Sequence, residues 1–152
     1  MNSEDVPSSS ADETALAKRV ADEMYRRDQA SRNLGMRLLQ VGAGRCSLSM
    51  RVREDMLNGH GTCHGGFIFA VADSAFAFAC NSRNHSTVAA GCTIDYVSPG
   101  RVGEVLEAHA QEVVLAGRTG VYDVTVRGED GRTVAVFRGR SHRIRGEVLL
   151  IK

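Results

Sequence analysis

Asp73 is the residue that most demands a chemical account. It stands within residues 67–80, where 12 of 14 side chains are apolar, and an unpartnered buried carboxylate costs several kcal/mol. It must be hydrogen-bonded, protonated, or turned towards a cavity or a partner. A structural network through Ser74 or a neighbouring strand would satisfy it as well as catalysis would. Just ahead lies Asn58-Gly59-His60-Gly61-Thr62-Cys63-His64-Gly65-Gly66. Glycines directly before a helix let backbone approach a ligand, and first-turn N–H groups at the positive end of the helix dipole suit an anion or a developing oxyanion. A plain tight turn has the same composition, and Asn58 is either an added donor or a turn cap. His60, Cys63 and His64 lack a fourth ligand at matching spacing for zinc. Cys63 lacks a third group to orient a histidine base. The last feature is Arg138-Gly139-Arg140-Ser141-His142-Arg143-Ile144-Arg145, four arginines in eight residues. No aromatics interleave, which disfavours a groove for single-stranded nucleic acid. A phosphate-bearing ligand is one use for it, and a charge-protected edge strand is the plainer one.

These residues need a scaffold. Residues 67 to about 82 are rich in alanine and apolar nearly all round, so they predict a helix enclosed on most sides. Before it, Cys46, Leu48, Met50 and Val52 alternate with Ser47, Ser49, Arg51 and Arg53, the period-2 pattern of a half-buried strand. After it, strands are expected at 87–97, 104–115, 119–127 and 133–144, separated by turn signals at Ser98-Pro99-Gly100, Gly117 and Asp130-Gly131. Residues 1–10 read as a disordered tail. Ser10 and Glu13 fit a capping box opening a surface helix with Leu16, Val20 and Met24 on its apolar stripe, ending before Gly35. Together these elements predict one domain over residues 11–152, of the α+β class: an antiparallel sheet, helices on one side, curved around the apolar helix.

The 152 residues carry 19 basic and 18 acidic side chains, a formal charge of +1. That near-balance disfavours a general nucleic-acid binder or a polybasic membrane-surface protein. The apolar segment is too short for a bilayer, which needs about 20 residues. Residues 1–10 lack a basic start followed by an apolar run, so no signal peptide is expected and the protein is expected in the cytoplasm. The four cysteines form no C-x-x-C pair and read as reduced thiols.

Helical geometry links the first two features. Gly65 and Asp73 are eight residues apart, about 12 Å of rise along one helix. One carbonyl cannot lie about 3 Å from both. If both act on the same bond, a second copy of the chain supplies one of them, which places an active site at a dimer interface.

Leu57-Asn58-Gly59-His60, Cys63-His64-Gly65-Gly66, Phe69, Ala72-Asp73 and Ala75-Phe76-Ala77 together resemble the central-helix signature of hotdog-fold thioesterases. Cys92-Thr93-Ile94-Asp95-Tyr96, Thr119-Gly120-Val121-Tyr122-Asp123, Phe137-Arg138-Gly139 and Ser141-His142-Arg143-Ile144 are similar to the branch that acts in phenylacetate degradation. The resemblance covers roughly residues 21–146. It implies a sheet wrapped round a central helix, dimers that assemble as tetramers, and hydrolysis of aryl-acetyl-CoA thioesters such as (hydroxy)phenylacetyl-CoA without a metal or other cofactor. It also implies roles. Gly65 would offer its N–H to the thioester carbonyl, Asn58 would help orient or polarise it, and His64 would shape the loop or touch Asn58 or the substrate. Asp73 of the partner subunit would attack the carbonyl or activate water. Tyr96, Gly117, Arg118, Thr119 and Ser141 would contact CoA. One departure is plain: some relatives carry a hydroxyl residue after the central helix, where this chain has Ala89-Ala90-Gly91, leaving only Thr93 to reach in. An acyl-CoA dehydratase, a non-catalytic acyl-CoA binding module and, more remotely, a metalloprotein built on His60, Cys63 and His64 stay open as readings of the same residues.

Overall fold

A central apolar helix needs small side chains if a sheet is to close round it, and this one has them. The computed structural model describes residues 9–151. In chain order it contains α1 (Ser10–Arg27), α2 (Gln29–Asn33), β1 (Arg37–Gly42), β2 (Arg45–Arg51), a 3-10 turn (Glu54–Met56), α3 (Gly65–Cys80), β3 (His85–Tyr96), β4 (Val105–Ala116), β5 (Thr119–Arg127) and β6 (Thr133–Glu147). The six strands form one antiparallel sheet in the order β1-β2-β4-β5-β6-β3. One face packs on α3, and α1 lies against β1. This is the expected α+β hotdog arrangement.

Period-2 alternation decides which side chains meet the helix. Cys46, Leu48 and Met50 of β2, Leu106, Ala108 and Ala110 of β4, and Tyr122, Val124 and Val126 of β5 are all buried with Val71, Ala72, Ala75, Phe76 and Ala79 of α3. Phe76 meets Tyr122 and Phe137 at ring-centroid distances of 5.5 and 5.8 Å, and each such buried ring stabilises the fold by about 1.5–3 kcal/mol. The fit is tight on the sheet side: a Cβ on Gly139 would lie 2.8 Å from the Phe76 ring. That position of β6 has to be glycine for the sheet to close on the helix.

The elements depart from the sequence reading in four places, the first being that the single helix expected up to Gly35 is broken by extended backbone at Asp28 into α1 and α2. β1 was not expected, because a register shift between Leu38 and Gln40 breaks the alternation by which a strand is recognised. The helix start moves by one residue: Ser9 caps α1, exchanging hydrogen bonds with Asp12, in place of Ser10 with Glu13. The expected tail falls mostly on residues 1–8, outside the described residues. The arginine-rich stretch is also not an edge strand, since β6 is paired on both sides, by β5 and β3. Its Arg138 points to the outer face and forms a two-bond ion pair with Asp123 at 2.6 and 2.8 Å. The edge on that side of the sheet is β3 instead, with β1 at the other edge; β3 is a 12-residue strand most of whose residues are exposed. Among the described residues, no helix is long and apolar enough to cross a membrane.

Candidate active site

The loop before α3 is held by its own polar groups. The Asn58 side-chain oxygen accepts from the backbone N–H groups of His60 at 2.9 Å and Thr62 at 3.3 Å, and its amide nitrogen donates to the Thr62 hydroxyl at 3.2 Å. Gly61 takes the left-handed conformation, φ +76°, that this tight turn needs. The backbone N–H of His64 donates to Met56 O at 2.8 Å and that of Cys63 to Gly100 O at 2.9 Å, tying the loop to its surroundings. His64 is the N-cap of α3, its Nδ1 accepting from the Gly66 N–H at 2.9 Å. That bond puts the ring proton on Nε2 and spends the histidine on the helix end. His64 makes no hydrogen bond to Asn58.

Gly65 therefore opens α3 with a backbone N–H that no protein acceptor takes among the described residues. It points outward at the positive end of a 16-residue helix. Beside it lies a cleft of about 400 Å³ lined by Asn58, Thr62, Cys63, Gly65, Tyr96 and Ser98, among others. The Tyr96 hydroxyl donates to Gly65 O at 3.0 Å, and a Cβ on Gly65 would sit 3.1–3.3 Å from the phenol ring. The structure thus brings Asn58, Gly65 and Tyr96 together. Cys63 also reaches this cleft, but burial first and Glu104 second push its thiol up to about 11. It is a neutral thiol at ordinary pH and a poor nucleophile. No group of three His, Cys, Asp or Glu side chains is placed to hold a metal among the described residues, so His60, Cys63 and His64 do not converge.

Asp73 does not reach that cleft. It lies two turns along α3, half-buried, with no hydrogen-bond partner among the described residues. Burial pushes its carboxyl above the ordinary carboxylate range, and the negative charge of Asp28 adds to the rise. The β3 residues turned towards the core are Cys92 and Ile94. Thr93 lines a groove with Asp123 and Arg138 on the outer face, so it does not replace the missing hydroxyl. Ala90 is the extra residue of a bulge between Ala89, opposite Ser141, and Gly91, opposite Arg140.

The residues expected to contact CoA fall into two groups. Tyr96 sits with the loop. Gly117, Arg118 and Ser141 line a small hollow near the C-terminal end of α3, with Thr119 next in sequence but not in its wall. Arg83, His85 and Arg143 share that wall; Arg83 is paired there with Glu112 through two hydrogen bonds, and neither it nor His85 was singled out for this role. Arg143 belongs to the arginine-rich stretch, while Arg83 and His85 follow the apolar helix directly and had only that placement to mark them. Ser141 is 1% exposed, and its hydroxyl has no hydrogen-bond partner in the protein among the described residues. A hydroxyl donor beside clustered cations suits a phosphate.

The chain was compared with known proteins. Residues 60–135 match the family model described as "Thioesterase superfamily". The chain is 44% identical over 128 residues to acyl-coenzyme A thioesterase PaaI of Escherichia coli, covering 84% of this chain and 91% of that one. The structure of the E. coli PaaI protein from the phenylacetic acid degradation operon superposes with a TM-score of 0.87 at 43% identity, over 88% of this chain and 97% of the other. The TT0310 protein of Thermus thermophilus superposes with a TM-score of 0.75 at 45% identity, over 78% and 99%.

Proposed function

The chain belongs to the thioesterase superfamily, and on that premise we propose that it hydrolyses acyl-CoA thioesters of the aryl-acetyl class, (hydroxy)phenylacetyl-CoA among them, in aromatic catabolism. One observation carries the assignment of residues. A free N–H at Gly65 and an unpartnered, half-buried carboxylate at Asp73 stand on the same apolar helix, about 12 Å apart along its axis.

Each half meets its counterpart if two chains pair. The long exposed edge strand β3 supports that pairing, because its free backbone groups are a template for another strand. Two such dimers would make the tetramer implied by the resemblance. The thioester carbonyl then lies at the Gly65 N–H, where negative charge develops as the carbon becomes tetrahedral, with Asn58 orienting it. Asp73 of the partner subunit either attacks the carbonyl carbon itself or takes a proton from a water that does. A carboxylate held above its ordinary range is the better base for that proton. Collapse of the tetrahedral intermediate breaks the C–S bond, and the CoA sulfur leaves as a thiolate and is then protonated; on the water route the acid is released directly, and on the direct-attack route water then cleaves the acyl–Asp73 anhydride to the acid and the free carboxylate. The hollow of Arg83, Arg118, Ser141 and Arg143 would take the phosphates of CoA, and no cofactor enters the scheme. The cytoplasm is the compartment that suits four free cysteines.

Free-thiol release from a panel of acyl-CoAs, phenylacetyl-CoA and its hydroxylated forms included, tests this reading in wild type and Asp73→Asn. Fast release on aryl-acetyl esters by wild type is expected, with a loss of about a thousandfold in kcat and retained ester binding in the variant. Absence of release from any ester, with water loss from a 3-hydroxyacyl-CoA, would establish the dehydratase instead.

A further inference from the structure

The hydroxyl missing from β3 leaves a question: what stands behind Asp73? The answer comes from the short α2 and the bend before it. Asp28 ends α1 and caps α2, accepting from the Ser31 N–H at 2.9 Å and the Ser31 hydroxyl at 2.5 Å. Ser31 is 1% exposed, and its hydroxyl lies 2.9 Å from that of Ser74, the residue after Asp73 on α3. Three polar side chains therefore run in a hydrogen-bonded line from the α1–α2 bend to the turn of α3 that carries the carboxylate. No cation lies within ion-pair distance of Asp28 among the described residues.

We propose that Asp28 is a positioning residue for Asp73, a second carboxylate tied to α3 through Ser31 and Ser74 so that its charge faces the reacting one. The inference rests on the reading of Asp73 as the reacting carboxylate. The other groups that face Asp73 are few. From α3 itself comes Cys80 and from β3 Cys92, and both thiols are pushed up by burial and stay neutral. The sheet residues of β2, β4 and β5 packed on α3 are apolar apart from Tyr122, whose hydroxyl is held by Glu112 at 2.8 Å and whose acidity is suppressed by burial. β1 and β6 contribute Leu38, Val41, Ala135 and Phe137 to the core. Among the described residues, Asp28 is thus the one charged side chain that raises Asp73 from outside its own helix. A neighbouring negative charge disfavours ionisation and makes the ionised form a stronger base.

Asp28→Asn removes the charge and keeps a good helix cap. In the pH profile of kcat/KM for thioester hydrolysis, the acid limb should move down by roughly half a unit to one unit, with a lower plateau rate where Asp73 is fully ionised. A limb that stays in place while the melting temperature falls would reduce Asp28 to a helix cap and overturn the proposal. Ser74→Ala reads the same link from the α3 side: kcat should fall several-fold at unchanged KM, and an unchanged kcat would equally overturn it. Asp73→Asn separates the two claims. Turnover surviving in that variant would sink the reading of Asp73 first. An inactive Asp73→Asn beside an unshifted Asp28→Asn would sink the positioning role alone.

Discussion

The start and the middle of the same helix solve opposite problems. At the N-terminus of α3, the loop Asn58–Gly66 is polar and satisfied from within: Asn58 holds the turn, His64 caps the helix, and Tyr96 braces Gly65. Two turns on, Asp73 is a carboxylate in an apolar run with no hydrogen-bond donor of its own among the described residues. Most of the loop's N–H groups find acceptors in the chain, and among those left without one in the described residues is that of Gly65 at the start of the helix. On the proposed reading the Asp73 region is a half-site, left incomplete within one chain and backed by a second negative charge. That reading segregates stability and reactivity along one helix, as expected where function is held at a cost to the fold.

The sharpest way to break that contrast is to mix two inactive variants. If the halves belong to different chains, Asp73→Asn and Gly65→Val, each inactive alone, should recover about a quarter of wild-type activity after co-refolding in equal amounts, because half the dimers carry one intact site of two. No recovery would mean that Gly65 and Asp73 serve within one chain or in separate sites.

A smaller effect follows from pH. Because the Asp73 carboxyl is raised by burial and by Asp28, hydrolysis that needs it ionised should decline on the acid side at a pH above the ordinary carboxylate range, by about tenfold per unit. The rate profile on a phenylacetyl thioester measures this. A profile flat down to the ordinary carboxylate range would remove Asp73 as the ionised group.

The smallest effect, in opposite directions in the two regions, is on stability. A group whose pKa is raised on folding stabilises the fold while protonated, and that contribution is lost as pH rises through the raised value. At neutral pH, charged Asp73 therefore opposes folding, and Asp73→Asn should raise Tm by roughly 2 °C. Asn58→Ala leaves the N–H groups of His60 and Thr62 without their acceptor. It should lower Tm by about 2–4 °C, corresponding to about 1 kcal/mol. Calorimetry of both variants at pH 7 decides it, and shifts of the same sign would erase the division of labour.

Much of this was legible along the chain. The anomaly of Asp73, the glycine-rich entry to a helix apolar all round and the alternation of β2 are local patterns, set by helical and strand periodicities that operate over a few residues. Even the expectation of a second chain, should Gly65 and Asp73 act on one bond, followed from about 1.5 Å of rise per residue. What stayed hidden depends on partners distant in sequence. The β1 strand was masked by a bulge that only its pairing with β2 makes tolerable. The arginine-rich stretch read as an edge, because charge marks an edge but only the pairing order shows that β3 holds that place. Why Gly139 must be small shows only in the approach of Phe76 across the sheet, and Ser141 shares a hollow with Arg118 only because β6 pairs with β5. The link from Asp28 through Ser31 to Ser74 spans 43 residues between its two serines. Which residues could do chemistry is a property of side-chain type and local period, which one dimension carries. Which of them share an environment is decided by burial and strand order, because desolvation and hydrogen bonding act through space.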